Sequence, residues 1–464
     1  MAADEKYKAI VIGSGQGGTP LSQALANAGW RTALVEREHV GGTCINEGCT
    51  PTKTMVASGR VAYLARRGAD YGVHTSALRI DMKRVRKRKR DIVNWFRDGG
   101  QKRVEATKNL DLIFGEASFT SARSILVTDK KGKQRTLSAE YFFINAGCRP
   151  SAPPIEGLEN VKYLDSTSVM ELDKVPKHLV VIGGGYIGLE FGQLFRRLGA
   201  QVTVITSGKQ LLDHEDDDVA DGVAKILQQD GIKILFDVNY EHVKCSGKEI
   251  VIKARSAKNK RTIKYSHLLV AAGRKPNTDS LKPSVAGIAV DEHGYIKANE
   301  RLETNVGNIF AIGDIKGGPA FTHISYDDFR ILRTNVLENG NASIKDRLVP
   351  YTVFIDPQLG RVGMTEAEAR ATGRKIRVAK MAMTSVARAL EIDEARGFMK
   401  AIVDAETNQI LGAAVLGIEG GEVMAQIQIA MWGKLPFTTL RDGVFAHPTL
   451  SEALNNLFTS HFQD

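Results

Sequence analysis

The sequence predicts an α/β protein built on two doubly wound parallel sheets. Three observations carry that prediction. The order strand, glycine loop, helix, strand occurs twice, from Tyr7 to Glu36 and again from Leu179 to Ile205. The chain has 464 residues, more than one core can hold and enough for roughly two to four domains. Its composition, 43% hydrophobic and 25% charged with 45 glycines, is that of a folded chain with many turns or close backbone approaches to a ligand.

In the first occurrence, Lys8-Ala9-Ile10-Val11-Ile12 reads as a buried strand and Gly13-Ser14-Gly15-Gln16-Gly17-Gly18 as a loop. A helix then runs to Ala28, and Arg31 to Glu36 forms a second strand. This is the dinucleotide fingerprint in its full context. Gly13 permits the tight turn, Gly15 lets backbone approach a pyrophosphate, and Gly18 lets helix pack closely on strand, with the helix N-terminus facing the phosphates. Glu36 falls where a carboxylate accepts from ribose hydroxyls. A bare glycine turn would need none of these flanking elements.

The pattern returns at Leu179-Val180-Val181-Ile182, the loop Gly183-Gly184-Gly185-Tyr186-Ile187-Gly188, a helix from about Leu189 to Leu198, and the strand Gln201 to Ile205. Two complete fingerprints imply two dinucleotides. The second strand runs into Thr206-Ser207-Gly208-Lys209, with no carboxylate at the ribose position. Thr206 and Ser207 offer hydroxyls and Lys209 a positive charge, which suit a 2′-phosphate, so NADP(H) is favoured over NAD(H). Read otherwise, Lys209 is an ordinary loop lysine.

Of the four cysteines, Cys44 and Cys49 lie together in Gly41-Gly42-Thr43-Cys44-Ile45-Asn46-Glu47-Gly48-Cys49-Thr50-Pro51-Thr52-Lys53. Spaced i, i+5 at the start of a helix, they can be bridged, and a helix N-terminus lowers the pKa of a thiolate held there. A zinc site needs further Cys or His at ligand spacing, and none follows, so no metal is expected. Cys148 and Cys245 have no partner by spacing and read as ordinary small residues.

The stretch around Cys44 and Cys49 resembles the active-site signature of the class I pyridine nucleotide-disulfide oxidoreductases, among them glutathione reductase, dihydrolipoamide dehydrogenase and mercuric reductase. The resemblance covers essentially the whole chain. Further landmarks stand in order: Ile144-Asn145-Ala146-Gly147, Ala271-Ala272-Gly273-Arg274-Lys275-Pro276-Asn277, and Thr304 to Asp314 ending Ala311-Ile312-Gly313-Asp314. The first departs from the commoner Thr-Gly form but keeps Gly147.

The resemblance implies FAD in the first fold. It would be held by Gly13, Gly15, Gly18, Glu36, Gly42, Thr43, Lys53, Ala117, Gly147, Arg274, Asp314 and Thr322, with Asp314 on the ribityl hydroxyls and Phe321-Thr322 beside the isoalloxazine. The nicotinamide nucleotide would take Gly183, Gly185, Tyr186, Ile187, Gly188, Thr206, Ser207, Lys209 and Gly273. Cys49 becomes the thiol facing the flavin and Cys44 the interchange thiol that meets substrate. Lys53 sits near flavin N5 paired with Glu190, in keeping with a cation that stabilises reduced flavin and itself needs a counter-charge. Tyr186 either covers the flavin until nicotinamide displaces it or simply packs.

Near the end, His447-Pro448-Thr449-Leu450-Ser451-Glu452 resembles the family's catalytic His/Glu pair, in which histidine acts as acid and base on the interchange thiol of the other subunit. The implied protein is a homodimer. It has an FAD-binding domain over 1–150 completed by 276–345, an NAD(P)-binding domain over 151–275, and a C-terminal α+β dimerisation domain over 346–464.

Within the family, mercuric reductases carry a C-terminal cysteine pair, whereas no cysteine follows Cys245 here; the N-terminal metal-binding domain of many is not expected either. Soluble transhydrogenases lack one cysteine of the active pair, and dihydrolipoamide dehydrogenase usually shows an acid in the second fingerprint. The chain resembles the mercuric-reductase-like group that includes reactive-chlorine-resistance flavoproteins, on Phe321 to Arg330, on Arg361-Val362-Gly363-Met364-Thr365-Glu366 and on the His447 segment. The acceptor is then a small disulfide, a metal ion or a quinone-like molecule. A flavoprotein sensor that has lost turnover would be expected to lack a cysteine or the histidine, and all are present.

The polar N-terminus has no leader pattern and no apolar run is long enough to span a bilayer, so the expected compartment is the cytoplasm. The net charge of +10 and the basic run from Arg84 to Arg90 invite a nucleic-acid reading. Val85, Ile92, Val93 and Phe96, however, fall near one helical face, and no groove-reading or aromatic-interleaved motif accompanies the run. It reads as the solvated side of an amphipathic helix, and no nucleic-acid or membrane partner is expected.

Overall fold

A strand covered on both faces carries an unbroken apolar run rather than an alternating one. In β1 (Glu5–Ile12) Ile10 and Ile12 join one buried cluster, while Ala9 and Val11 join another on the opposite face. A computed structural model describes residues 5–246, 249–256 and 259–463. From β1 the chain passes through α1 (Gly18–Asn27), β2 (Thr32–Glu36), α2 (Gly42–Asn46), α3 (Cys49–Arg66) and α4 (Met82–Glu105) to β3 (Leu110–Phe114). It then makes an antiparallel meander of β4 (Glu116–Ser121), β5 (Ser124–Thr128) and β6 (Gln134–Ile144), followed by β7 (Cys148–Pro150). The strand order is β3-β2-β1-β6-β5-β4, with β1 parallel to both β2 and β6.

The second fingerprint builds β8 (His178–Ile182), α5 (Tyr186–Leu198), β9 (Gln201–Ile205), α6 (Asp217–Gln229) and β10 (Lys233–Leu235). An antiparallel sheet of β11 (Val238–Ser246), β12 (Glu249–Ser256) and β13 (Asn259–Tyr265) intervenes before β14 (His267–Val270) closes the parallel sheet β10-β9-β8-β14. The chain then pairs β15 (Arg274–Pro276) with β7 and β16 (Ile309–Ala311) with β6, and continues into α7 (Thr322–Leu337).

The last part is an antiparallel sheet ordered β17-β18-β21-β20-β19-β22. Its strands and helices are β17 (Tyr351–Val353), β18 (Gln358–Gly363), α8 (Glu366–Ala371), β19 (Ile376–Ala382), α9 (Ala387–Glu391), β20 (Phe398–Asp404), β21 (Ile410–Gly417), α10 (Gly420–Trp432), α11 (Phe437–Asp442), α12 (Ala453–Ser460) and β22 (Phe462–Gln463). Two compact units result, each assembled from three stretches. The first takes Met1–Thr54, Arg84–Ser151 and Gly273–Arg347; the second takes Met55–Lys83, Ala152–Ala272 and Leu348–Asp464.

Two helices differ in detail from the sequence reading. α5 starts at Tyr186 rather than near Leu189, because the glycine loop itself winds into the first turn. In α4 the buried stripe runs Met82, Lys89, Val93, Val104, while Phe96 is exposed and Lys89 is not. Val93 and Phe96 sit at i, i+3, so the sequence alone left the centre of the apolar face ambiguous by about one residue position.

Candidate active site

The first glycine loop is shaped by two close approaches. Gly13 turns at φ +96°, where a Cβ would collide with the carbonyl oxygen of Asn145; a Cβ on Gly18 would collide with the carbonyl of Gly13. Gly15 and Gly42 are in backbone contact, since a Cβ on Gly42 would lie 2.7 Å from the Gly15 Cα. Asn145, at the end of β6, clamps the arrangement: its Oδ1 accepts from Gly18 N at 2.9 Å, and its Nδ2 donates to the Ile312 carbonyl at 3.0 Å and to Ser325 Oγ at 3.3 Å. Glu36, closing β2, accepts from Ser14 N at 3.0 Å, Ser14 Oγ at 2.6 Å and Glu38 N at 2.8 Å.

These residues fit FAD. The N-terminus of α1 has no side-chain cap and its dipole favours an anion in front of it, while the Gly18 and Thr19 amides are already bonded to Asn145 Oδ1 and to the Gly15 carbonyl. Arg274 donates to the Cys148 carbonyl at 2.9 Å and approaches Asp314 Oδ2 at 3.4 Å, while its Nε is buried with no hydrogen-bond partner among the described residues. Burial raises the Asp314 carboxyl, and the Arg274 cation partly offsets that. An orphaned guanidinium N–H beside a buried acid is a site waiting for polar ligand atoms. Ala117 is buried in β4, and Gly147, at φ +65°, accepts from Asn277 N at 3.0 Å.

The cysteine pair lies in the same unit. Thr43 and Cys44 ride on α2, and Cys49 begins α3; no disulfide joins the two cysteines. Cys49 Sγ is 3.3 Å from Thr322 Oγ1, the first residue of α7. Cys44 hydrogen-bonds to Cys49, and that bond, followed by burial, pushes its pKa up; Thr322 and the Lys53 cation pull it down by less. Asn46 braces α2 by donating to Gly42 O at 2.9 Å while accepting from Arg97 Nε at 2.8 Å. Cys148 stands apart, buried and pushed up to about 11 by that burial.

The second loop repeats the geometry of the first. Gly183 turns at φ +121°, where a Cβ would collide with the Ala271 carbonyl, and a Cβ on Gly188 would come within 2.6 Å of the Gly183 carbonyl. α5 also lacks a side-chain cap, Gly185 has open space about it, and Tyr186 and Ile187 are half-buried. Thr206 Oγ1 accepts from Gly208 N at 3.1 Å, and Ser207 and Lys209 are exposed. The glycine loop and uncapped helix end that suit a pyrophosphate in the first fold are thus present in the second. Glu190 is buried in α5 and accepts from Phe354 N at 2.9 Å; Gly273 O accepts from Ser151 N at 3.1 Å. Near the C-terminus, His447 Nδ1 lies 2.8 Å from Glu452 Oε2. With Nδ1 carrying the proton toward that carboxylate, Nε2 is the basic nitrogen, and the ring is two-thirds exposed at 67%.

Sequence reasoning assigned no role to Asn145, Asn46 or Asp328. Asp328 is fully buried; it accepts from Gly313 N at 2.8 Å and pairs with Arg347 at 2.7 Å and Lys316 at 3.4 Å, fixing the turn before Asp314. An asparagine next to a glycine landmark and paired acids inside a helix were the available signals, but neither pattern names a partner.

Two dinucleotide folds, an adjoining dithiol and a C-terminal antiparallel sheet define a flavoprotein oxidoreductase that uses a pyridine nucleotide and a redox-active disulfide. Residues 7–328 match the model of the pyridine nucleotide-disulphide oxidoreductases and residues 349–458 match that family's dimerisation domain; the chain belongs to this family. It is 39% identical over 458 residues to the probable pyridine nucleotide-disulfide oxidoreductase RclA of Escherichia coli (strain K12), covering 98% of this chain and 99% of that one. It is 34% identical to a mercuric reductase of Lysinibacillus sphaericus, over 97% of this chain and 82% of the relative. A solved Cu(II) complex of the HOCl-induced flavoprotein disulfide reductase RclA from Escherichia coli superimposes with a TM-score of 0.90 at 38% identity, covering 98% and 99% of the two chains. Among the described residues, no helix is long and apolar enough to cross a membrane.

Proposed function

We propose that the protein passes two electrons from NADPH, in preference to NADH, to the Cys44–Cys49 disulfide and from the resulting dithiol to a small disulfide, a thiophilic metal ion or a quinone-like acceptor. The observation that carries this reading is the hydrogen-bonded cluster of Cys44, Cys49 and Thr322. FAD, when bound, accepts hydride from the nicotinamide and returns two electrons to a disulfide.

The chain's own residues do the rest. Gly13, Gly15, Gly18, Glu36, Gly42, Thr43, Ala117, Gly147, Arg274 and Asp314 hold FAD; Gly183, Gly185, Tyr186, Ile187, Gly188, Thr206, Ser207, Lys209 and Gly273 hold the nicotinamide nucleotide. Lys53 keeps a positive charge beside the redox pair, with Glu190 as its counter-charge. Reduction breaks the S–S bond and takes up two electrons and one proton, the proton on Cys44 and the charge on Cys49. His447, oriented by Glu452 and serving the opposite subunit of a homodimer, removes the Cys44 proton so that this thiolate can attack a disulfide, and protonates the departing thiolate. With a metal ion the two electrons pass to metal bound at the thiolates, one Hg²⁺ taking both or two Cu²⁺ taking one each, and the Cys44–Cys49 disulfide re-forms. The Cu(II) complex of the Escherichia coli relative supports that arm.

We assign residues 1–150 and 276–345 to FAD, 151–275 to the nicotinamide nucleotide and 346–464 to dimerisation, and place the protein in the cytoplasm. Stopped-flow reduction by NADPH, followed by an acceptor screen of lipoamide, glutathione disulfide, Hg²⁺, Cu²⁺ and quinones, tests the reading. Wild type should turn over at least one thiophilic acceptor that the Cys44→Ser enzyme does not. If every acceptor oxidises both enzymes equally fast, the dithiol is not the route.

A further inference from the structure

The second unit contains a cavity of about 680 Å³ that the redox chemistry does not use. Five arginines line it, Arg66 at the end of α3, Arg67, Arg196, Arg197 and Arg396, against three acids, Asp230, Asp393 and Glu394. Three of the arginines are matched. Arg197 pairs with Asp230 at 3.3 Å and with Asp356. Arg396 pairs with Asp230 at 2.7 Å and Glu394 at 2.6 Å. Arg67 pairs with Asp393, and with Asp70 at 3.2 Å.

Arg66 and Arg196 are the remainder. Arg66 donates to the Arg197 carbonyl; Arg196 donates from Nε to the Asp230 carbonyl at 2.8 Å and from a terminal nitrogen to the Ala200 carbonyl at 3.2 Å. Neither has a carboxylate partner among the described residues. The two cations line the same cavity, and burial first, with the Arg196 charge second, holds the Arg66 guanidinium below its usual pKa. Room for this is built in, because a Cβ on Gly231 would lie 2.7 Å from the second terminal nitrogen of Arg196. On its other side Arg196 lines a second cavity of about 540 Å³ with Lys233 and Lys264 and no acidic residue.

Adjacent guanidiniums that satisfy only carbonyls leave uncompensated positive charge and spare N–H donors, and their planar forks match the oxygens of a phosphate. We propose that Arg66 and Arg196 form a binding site for a small phosphate-bearing anion. The carbonyl bonds fix each guanidinium in place, so the anion meets donors already ordered, and the matched arginines around them prevent collapse of the cavity onto the pair.

Equilibrium dialysis of labelled inorganic pyrophosphate against the full-length, FAD-loaded protein tests this, with NADP⁺ held at saturation so that the nicotinamide-nucleotide site is filled. One saturable site per chain is expected, not displaced by chloride at matched ionic strength. The Arg66→Gln/Arg196→Gln variant should bind at least tenfold more weakly with its flavin content unchanged, since each lost guanidinium removes a charge-assisted bond. Absence of saturable binding in wild type overturns the proposal whether or not the double variant folds. So does a folded double variant that binds as tightly as wild type.

Discussion

Cys44 holds its proton more tightly than an ordinary thiol, and on the proposed function that sets the signature of the reduced protein. Because the bond to Cys49 and burial raise Cys44, one equivalent of dithiol should produce a long-wavelength band from a Cys49 thiolate against oxidised flavin. Absorption spectra should lose the band in Cys49→Ser and show it without reductant in Cys44→Ser; a band surviving in Cys49→Ser would reverse the two roles. Asn145 offers a second check at this scale. Truncation to Ala strands the Gly18 amide and the Ile312 carbonyl, and buried groups without partners cost about 1–3 kcal/mol. Asn145→Ala should therefore lower the melting temperature and release FAD on gel filtration. Cys44 and Cys49 could be paired from their spacing alone, whereas Thr322 and the His447–Glu452 pair were named only through resemblance to a known family. Asn145 was assigned no role, because its partners, Ile312 and Ser325, are 167 and 180 positions away.

Strand, glycine loop and helix act as one element, and the structure uses it twice with the same two collisions built in. That makes a paired experiment possible. A Cβ at Gly18 pushes α1 off β1, so Gly18→Ala should be isolated with little FAD; Gly188→Ala should stay yellow but resist reduction by NADPH, read by flavin content and stopped-flow absorbance. Equal flavin loss in both would mean the two loops are not independent. On the proposed preference for NADPH, the turn after β9 makes the cofactor choice. Lys209 is exposed, so its pairing with a 2′-phosphate contributes on the order of 1 kcal/mol or less. Lys209→Glu should shift the kcat/KM ratio toward NADH by roughly fivefold or more, counting the repulsion it adds. Both fingerprints could be read from the sequence, since loop, helix and strand identify each other. The strands of the C-terminal sheet could not. β21 is almost wholly buried, which removes the alternation that marks a strand, and only resemblance to known proteins supplied that domain.

For the molecule as a whole, the matched dimerisation domain carries apolar side chains that its own chain leaves bare: Ile429 at 63%, Trp432 at 64% and Val444 at 102% exposure. Ile429 and Trp432, three positions apart on α10, share one side of that helix, and on the proposed function this side is covered in a homodimer in which His447 serves the other subunit. His447→Ala should leave flavin reduction by NADPH unchanged and slow disulfide turnover by about 10²–10⁴-fold, with a smaller effect on a metal ion, which needs no proton. Mixing His447→Ala with Cys44→Ser subunits should restore part of the disulfide-reductase activity that neither parent shows. If exchanged heterodimers form, as seen by mass spectrometry, and no activity returns, the histidine acts within its own chain.

The pairing of β16 with β6 also dictates an order of events during synthesis. Asn145 emerges from the ribosome 167 residues before the Ile312 carbonyl that it must bond, a delay on the order of 10 s at ordinary elongation rates. Through that interval residues 142–144 of β6 lack their β16 partner and Asn145 Nδ2 lacks its acceptors, although its Oδ1 can already bond the Gly18 amide. The strands β8 to β14, contiguous in sequence, can pair fully in the meantime. The nascent protein can therefore complete its nicotinamide-nucleotide fold before it can hold a flavin, and a chain stopped short of Asp314 should emerge from a ribosome colourless.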